Sequence, residues 1–198
     1  MNEDYRDYLL RKVEGVYRSW GSRNRKDGGC QYQGISWDEA NQQIISIVKD
    51  REKNRSVKDN IINAVLGDSS TKLKFLDAGC GIGMVSCIAK YHGFKPYGMD
   101  IDRELLKFAH RLMPRDKENF IIRDITKFDA YGSFDVVYFF CPLYFNKKAE
   151  IRFENSIRNQ MKVGAYLIAN NYHSMIDQDN RFKQIHKVDS NHKVFKKI

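Results

Sequence analysis

The sequence predicts an α/β protein in which helices cover both faces of a mostly parallel, seven-stranded sheet. From about residue 72, short apolar runs rich in β-branched and aromatic residues alternate with segments of helical spacing. This alternation is typical of parallel strands joined by crossover helices. The last two apolar runs lie close enough along the chain to form an antiparallel hairpin turned at Ser190 and Asn191. We therefore expect a three-layer sandwich that ends in an antiparallel pair.

The strands and helices of the sheet domain can be assigned in order. Helices are predicted at GMVSCIAKYHG, DRELLKFAHRLM and NKKAEIRFENSIRNQMKV, and strands at LKFLD, FKPYGMD, NFIIRD, SFDVVYFFC, GAYLIAN, RFKQIHKVD and HKVFKKI. Only about ten residues, NYHSMIDQDN, separate the fifth and sixth strands. Either this crossover is minimal, or the last two strands are arranged in an unusual way.

A helical extension is predicted to precede the sheet domain. Apolar residues at helical spacing mark a helix over residues 5–20, and a basic, glycine-rich loop follows over 21–34. Ser36 with Glu39 three residues later forms a capping box that opens the next helix, and a shorter helix starts near Ser56. We therefore divide the chain into a helical extension or lid, residues 1–70, and a ligand-binding domain, residues 71–198.

The composition is that of an ordinary globular chain. It is 42% hydrophobic and 30% charged, and no apolar run approaches the roughly 20 residues that span a bilayer. The four cysteines form no CxxC pair, and no histidines and cysteines have zinc-ligand spacing. We expect a cytoplasmic protein that has reduced thiols, no metal site and no membrane segment; its oligomeric state is left open.

The net charge of +9 arises from 34 Lys and Arg against 25 Asp and Glu. Such a balance favours a polyanionic partner or an acidic substrate. The lysines are spread along the chain, however, so a solvated basic surface is the alternative explanation. Nucleic acid is therefore a possible partner, but the charge does not require it.

The segment FLDAGCGIG, residues 75–83, joins the first strand to the next helix. Glycines at alternate positions let the loop turn sharply and bring its backbone N–H groups close to a ligand. The N-terminus of the following helix favours a negatively charged group. A tight turn alone needs one glycine, whereas this loop has three. The dinucleotide fingerprint G-x-G-x-x-G does not fit, because Met84 occupies the position of its last glycine.

Asp77, Gly79, Gly81 and Gly83 form the pattern D-x-G-x-G-x-G, which resembles motif I of the class I S-adenosylmethionine-dependent methyltransferases. This family has a Rossmann-like fold. The resemblance continues in register over residues 72–198. An acid, Asp100, ends the second strand about 20 residues later, where a ribose is held. A further acid, Asp124, follows the third strand, where an N-cap for the next turn is the alternative explanation, and a Phe-Asp pair opens the fourth.

The resemblance implies that S-adenosyl-L-methionine is the cofactor and assigns roles to four loops. The glycine loop holds the methionine part, the acid after the second strand binds the ribose, the acid after the third lies near the adenine, and the end of the fourth lies beside the sulfonium. The implied residues are Asp77, Gly79, Cys80, Gly81 and Gly83 for methionine, Asp100 and Ile101 for ribose, Asp124 and Ile125 for adenine, and Phe140 and Cys141 for the sulfonium end.

The methyl acceptor is expected beyond the carboxyl ends of strands four and five. Tyr144 and His173 are candidate catalytic groups, and a loop histidine exposed to solvent is the alternative explanation of His173. The family's amino-methylating nucleic-acid enzymes carry an Asn/Asp/Ser-Pro-Pro-Tyr/Phe motif, whereas this chain reads CPLY, with Cys141 in the polar position. Candidate acceptor-binding residues are Tyr17, Trp20, Tyr144, Asn171 and His173.

The sequence therefore favours a methyltransferase that moves the methyl group of S-adenosylmethionine to a small molecule or a protein side chain by direct displacement. An RNA or DNA methyltransferase is the first alternative, supported by the basic balance and opposed by CPLY. A module that binds S-adenosylmethionine without catalysis is the second.

Overall fold

The computed structural model of the protein describes part of the N-terminal region and most of the sheet domain. The described residues are Tyr8, Arg11, Val13 and Gly15, and the ranges 36–54, 72–140, 143, 146–172 and 175–198. The first four have helical backbone, as predicted for the helix over 5–20. The predicted loop over 21–34 and the helix predicted near Ser56 lie outside the described residues. The division at residue 70 stays a prediction.

The described part of the chain alternates helices and strands in the predicted order. The helices are α1 (Trp37–Lys53), α2 (Met84–Tyr91), α3 (Arg103–Leu112) and α4 (Lys147–Gln160). The strands are β1 (Lys74–Ala78), β2 (Lys95–Asp100), β3 (Phe120–Ile122), β4 (Val136–Phe140), β5 (Tyr166–Asn170), β6 (Phe182–Lys187) and β7 (His192–Lys197). Three short 3₁₀ turns lie at Lys117–Asn119, Ile125–Lys127 and Tyr131–Ser133.

The seven strands form one sheet in the order β3-β2-β1-β4-β5-β7-β6. The first five of these strands pair in parallel, and β7 runs antiparallel to both β5 and β6. The predicted fold class is confirmed. Strand order reverses between β1 and β4, so a crevice is expected beyond their carboxyl ends. Of the two arrangements left open for strands five and six, the structure has the minimal crossover: residues 175–178 form a turn.

The minimal crossover is fixed by one buried carboxylate. Asp179 accepts hydrogen bonds from Arg158 of α4, with Nε at 2.8 Å, and from Arg181, with Nη2 at 2.7 Å. The Arg181 guanidinium is the largest influence holding the pKa of Asp179 well below its usual range. The ion pairs link the crossover to α4, a role that a crossover helix usually performs by packing.

Two apolar clusters fill the spaces on the two faces of the sheet. Helices α1 and α2 cover one face, and α4 covers the other; α3 packs beside α2 on the first face. Side chains along β1 alternate between the clusters, with Phe75 facing α2 and Leu76 facing α4. The sheet is therefore the middle layer of three. No helix in the described ranges is long and apolar enough to cross a membrane.

The capping box predicted at Ser36 is confirmed and sets the start of α1. The Ser36 hydroxyl accepts from the Glu39 backbone N–H, and the Ser36 N–H donates to the Glu39 carboxylate. Ala40, Ile44 and Ile47 are fully buried against the sheet. Helix α1 runs antiparallel to β5, because Gln43 contacts Asn170 at the carboxyl end of that strand whereas Asp50 contacts Tyr166 at its start. The N-terminus of α1 thus lies at the edge where the crevice is expected.

Candidate active site

The glycine loop at the end of β1 has the conformation that its composition requires. Gly79, Gly81 and Gly83 all have positive φ, at 81°, 52° and 82°. The N–H groups of Gly79 and Cys80 both donate to the carbonyl of Met99, at 2.9 and 3.0 Å. These two hydrogen bonds hold the loop against the end of β2. At the three positions of positive φ, a residue with a Cβ would strain the backbone.

Close packing gives Gly83 a second constraint. A Cβ at this position would lie 3.0 Å from Cε of Met113 and 3.1 Å from Cβ of Ala109, both next to or in α3. Gly98 in β2 is more confined than Gly83, because a Cβ there would overlap the ring of Phe120 and would lie 2.9 Å from the Cys80 sulfur. Gly83, the third glycine of the loop, therefore lets the start of α2 pack directly against α3. The sequence had indicated only a ligand-binding role for this glycine.

Asp77 lies at the carboxyl end of β1 and is 2% exposed. Its carboxylate accepts a hydrogen bond of 2.9 Å from the hydroxyl of Ser86 in α2. Burial raises the pKa of Asp77 to about 7, and the nearby Asp100 carboxylate adds to this increase. The Cys80 thiol is also buried, and burial raises the pKa of this thiol well above its ordinary value.

Asp100 ends β2 and joins three segments at the edge of the sheet. Its Oδ2 accepts from the Gly81 N–H at 2.8 Å, and its Oδ1 accepts from the Asp102 N–H at 2.9 Å. Burial raises the pKa of this half-buried carboxyl group. Each carboxylate oxygen has a second lone pair, so Asp100 retains acceptor capacity toward the crevice. The adjacent side chain of Ile101 is 74% exposed.

Asp124 has a structural role that was considered as the alternative to ligand binding. Its Oδ1 accepts from both the backbone N–H and the hydroxyl of Thr126, at 2.9 and 2.7 Å, which caps the turn Ile125–Lys127. The Thr126 hydroxyl is the largest influence lowering the pKa of Asp124. The Ile125 carbonyl accepts from the buried Tyr131 hydroxyl at 2.9 Å. The two bonds from Thr126 occupy Oδ1 of Asp124, whereas Oδ2 lies 3.6 Å from the ammonium nitrogen of Lys127.

A compact group of side chains lies at the last residues of β4 and β5 and the first residue of β7, on the face covered by α1. The ring of Phe140 stacks on the ring of His192, with centroids 5.9 Å apart and planes 19° apart. Asn170, between them in the sheet, is fully buried and exchanges two hydrogen bonds with Gln43 of α1, at 2.6 and 3.2 Å. We call Phe140, Asn170, His192 and Gln43 the acceptor edge.

Two carboxylates flank the acceptor edge. Asp189, in the turn between β6 and β7, lies 2.8 Å from Nδ1 of His192, and Glu39 lies in the first turn of α1. One carboxylate oxygen of Glu39, one of Asp189 and one ring nitrogen of His192 all lie within 4.8 Å of one another. The sequence did not indicate this group, because about 150 residues separate Glu39 from Asp189 and His192.

Several predicted site residues lie outside the described part of the chain: Tyr17, Trp20, Cys141, Tyr144 and His173. Asn171 is described and has a φ of 49°, a left-handed conformation that asparagine tolerates, with its N–H bonded to the Asn191 carbonyl at 2.8 Å. The structure thus brings Asp77, Asp100, the glycine loop and Phe140 to one edge of the sheet. Gln43, Asn170 and His192 were missed, since their sequence neighbourhoods carry no motif.

The arrangement of a D-x-G-x-G-x-G loop and an acid on the neighbouring strand agrees with what sequence comparison finds. A family described as a methyltransferase domain matches residues 69–197. The chain belongs to this methyltransferase family. Its cofactor is S-adenosylmethionine, and it is a methyltransferase that depends on this cofactor. Comparison of the chain with curated proteins gives no match.

Solved structures resemble the methyltransferase at low identity. TehB from Haemophilus influenzae is 16% identical, with 70% of this chain and 62% of that chain covered and a TM-score of 0.49. A TehB-like SAM-dependent methyltransferase from Corynebacterium glutamicum is 14% identical, with 81% and 100% covered and a TM-score of 0.50. A putative RNA methyltransferase from Pyrococcus horikoshii is 18% identical, with 70% and 79% covered and a TM-score of 0.50. The two matches with a TM-score of 0.50 show a shared fold.

Proposed function

We propose that the methyltransferase transfers the methyl group of S-adenosylmethionine to a small molecule or a protein side chain. The observation that carries this proposal is the charge at the acceptor edge. Although the chain has a net charge of +9, two carboxylates, Glu39 and Asp189, flank this edge among the residues that the structure describes. Phosphates of a nucleic acid would be repelled there, whereas a neutral or cationic acceptor group would not.

Cofactor binding would use the groups at the ends of β1 and β2. The free lone pairs of Asp100 are suited to accept from two vicinal ribose hydroxyls. The glycine loop would accommodate the methionine part, with Asp77 beneath it. Ile101 would lie beside the ribose, the backbone at Ile125 would contact the adenine, and Asp124 would lie near the adenine amino group. Phe140, at the end of β4, would face the sulfonium beside the acceptor edge.

Transfer would be a direct displacement at the methyl carbon. In such a step the protein contributes mainly by aligning nucleophile, methyl group and sulfur, and by excluding water. The buried Gln43–Asn170 pair fixes α1 across the end of β5, so the acceptor would be held between α1 and β4. A general base is needed only for an acceptor that is protonated at the working pH.

A nucleic-acid acceptor is the second candidate, and one observation favours it. A row of exposed basic residues follows α3 and the turn to β3, far along the sheet from the acidic acceptor edge: Lys107, Arg111, Arg115, Lys117 and Arg123. Such a row can bind phosphates without sequence preference. Strands β2 and β1 lie between the row and the acceptor edge, so we rank this candidate second.

The cofactor site is tested by calorimetric titration with S-adenosylmethionine, S-adenosylhomocysteine and NAD. We expect the first two to bind and NAD not to bind. Asp100→Ala removes charge-assisted hydrogen bonds worth about 1.5–3 kcal/mol each, so affinity should fall at least about tenfold. Asp129→Ala, an exposed acid in the loop before β4, is the matched control and should bind normally. Equal loss in both variants, or binding of NAD alone, would contradict the assignment.

A further inference from the structure

His192 is placed at the acceptor edge by the unusual end of the sheet. Because β7 is antiparallel, its first residue lies beside Asn170, the last residue of β5. Strands are about 4.8 Å apart, so β4 and β7 are separated by about 10 Å. The rings of Phe140 and His192 nevertheless approach to 5.9 Å above Asn170. His192 therefore leans toward the end of β4, where the reacting methyl group would lie.

The orientation of the imidazole is fixed by Asp189. Oδ2 of Asp189 lies 2.8 Å from Nδ1 of His192. Oδ1 of the same carboxylate accepts from the backbone N–H groups of Asn191 and His192, at 2.7 and 3.0 Å. The hydrogen bond from the His192 ring lowers the pKa of Asp189, which stays ionised and acts only as an acceptor. Nδ1 must then carry the proton.

This arrangement leaves Nε2 as the basic nitrogen of the neutral ring. Nε2 is buried and has no hydrogen-bond partner among the residues that the structure describes. A buried nitrogen lone pair without a donor costs free energy, and such a cost is common where a substrate group supplies the missing donor. A carboxylate oxygen of Glu39 and one of Asp189 each lie within 4.8 Å of a ring nitrogen of His192.

We propose that Nε2 of His192, held by Asp189, accepts the proton of the methyl acceptor. The inference rests on the proposed function, and it narrows the acceptor to a group with a proton on the attacking atom: a hydroxyl, a thiol or an amine. A lone pair of that atom forms the bond to the methyl carbon, and the electrons of the C–S bond pass to sulfur, which yields S-adenosylhomocysteine. The proton moves to Nε2, and the imidazolium is stabilised by Asp189 until solvent removes it.

The proposal is tested by NMR of the imidazole nitrogens in protein labelled with ¹⁵N-histidine, at about pH 8, where an ordinary histidine is neutral. The His192 signals are assigned with His192→Gln. We expect the form protonated at Nδ1. We also expect the Nε2 resonance to differ between the S-adenosylhomocysteine and S-adenosylmethionine complexes, because only the latter carries a positive sulfonium. His110 and His186 serve as internal controls and should show no such difference.

Asp189→Asn sharpens the test. The amide oxygen would keep the two backbone bonds, so the amide nitrogen would donate to Nδ1 and force the proton onto Nε2. We expect that change of tautomer in Asp189→Asn and not in Asp177→Asn, which alters another acid near β7. A wild-type ring protonated at Nε2, or one insensitive to the sulfonium, would overturn the proposal. Calorimetric binding of the cofactor, measured on the same samples, separates this result from a failure of the cofactor site.

Discussion

Asp77 is an acid whose chemistry is set by its burial. Its carboxyl group lies at the end of β1 with the hydroxyl of Ser86 as a hydrogen-bond donor. In the unfolded chain its pKa has an ordinary value of 3.8, and in the folded chain burial raises it to about 7. The folded state therefore binds a proton more tightly, and this group makes the free energy of unfolding fall as pH rises from about 4 to 7.

We expect Asp77→Asn to remove this pH dependence. The amide keeps an acceptor for Ser86 but cannot ionise, so the variant should gain stability relative to wild type by about 2 kcal/mol between pH 5 and 7.5. Denaturant unfolding of both proteins without cofactor at the two pH values measures the difference. Ser86→Ala is the control, because it leaves the carboxyl group ionisable. A constant difference between Asp77→Asn and wild type at all pH values would contradict the prediction.

Gly83 combines a positive φ with close packing, and Gly93 separates the two effects. Both residues have similar φ, 82° and 85°, but a Cβ at Gly93 would meet no atom within 4 Å. Each substitution by alanine should cost about 1 kcal/mol of stability for the left-handed backbone. Only Gly83→Ala should also displace α3 and weaken S-adenosylmethionine binding. Thermal unfolding and calorimetry on both variants test this, and equal effects on binding would refute the packing argument.

The sequence indicated the residues at the ends of β1 and β2 but not those of the acceptor edge. Asp77 and the glycine loop lie at the junction of β1 and α2, and Asp100 ends the next strand, so spacing along the chain was sufficient to find them. His192 and Gln43 come together only through the pairing of β7 with β5 and the packing of α1, both contacts between distant parts of the chain. The capping role of Asp124 is one of the two roles that the sequence allows, because an acid after a strand commonly begins the next turn.

At the level of elements, the crossover from β5 to β6 shows how ionic contacts can substitute for a helix. Asp179 is 8% exposed and is bonded to Arg158 and Arg181. Removing one partner from a buried ion pair leaves the other charges uncompensated, at a cost of about 3–5 kcal/mol. The sequence predicted that this segment is short. It did not predict the ion pair that holds the segment to α4, since Arg158 is 21 positions from Asp179.

We expect Asp179→Ala to destabilise the methyltransferase by about 3 kcal/mol. Asp177→Ala is the control two residues away. It removes a more exposed acid that pairs with Lys193 and accepts from the Tyr172 hydroxyl, and it should cost less than Asp179→Ala. The contribution of Asp179 is present above the ordinary pKa of aspartate and is lost as pH falls, since its folded pKa is lowered. Urea unfolding near neutral pH compares the variants, and equal costs would show that the crossover does not depend on Asp179.

At the scale of the whole molecule, the topology predicted from alternating patterns was confirmed because parallel sheets have few alternatives. Strands that are apolar throughout, such as β4, indicate burial on both faces, and the connecting helices fix their direction. The charge distribution was not accessible in the same way. The sequence provides a sum of +9, whereas the placement of Glu39 and Asp189 at the acceptor edge depends on the complete fold.

This distribution leads to an expectation for nucleic-acid binding. If the acceptor is not a nucleic acid, single-stranded RNA should bind only through the exposed basic row, with a dissociation constant of about 10⁻⁴–10⁻⁶ M at physiological salt. Fluorescence anisotropy of a labelled RNA at several salt concentrations measures this binding. Charge reversal at Arg115 and Lys117, both exposed, should abolish the binding while cofactor affinity stays unchanged. Tight binding that survives this reversal and is weakened by S-adenosylhomocysteine would instead place RNA at the acceptor edge, and the second candidate function would then replace the first.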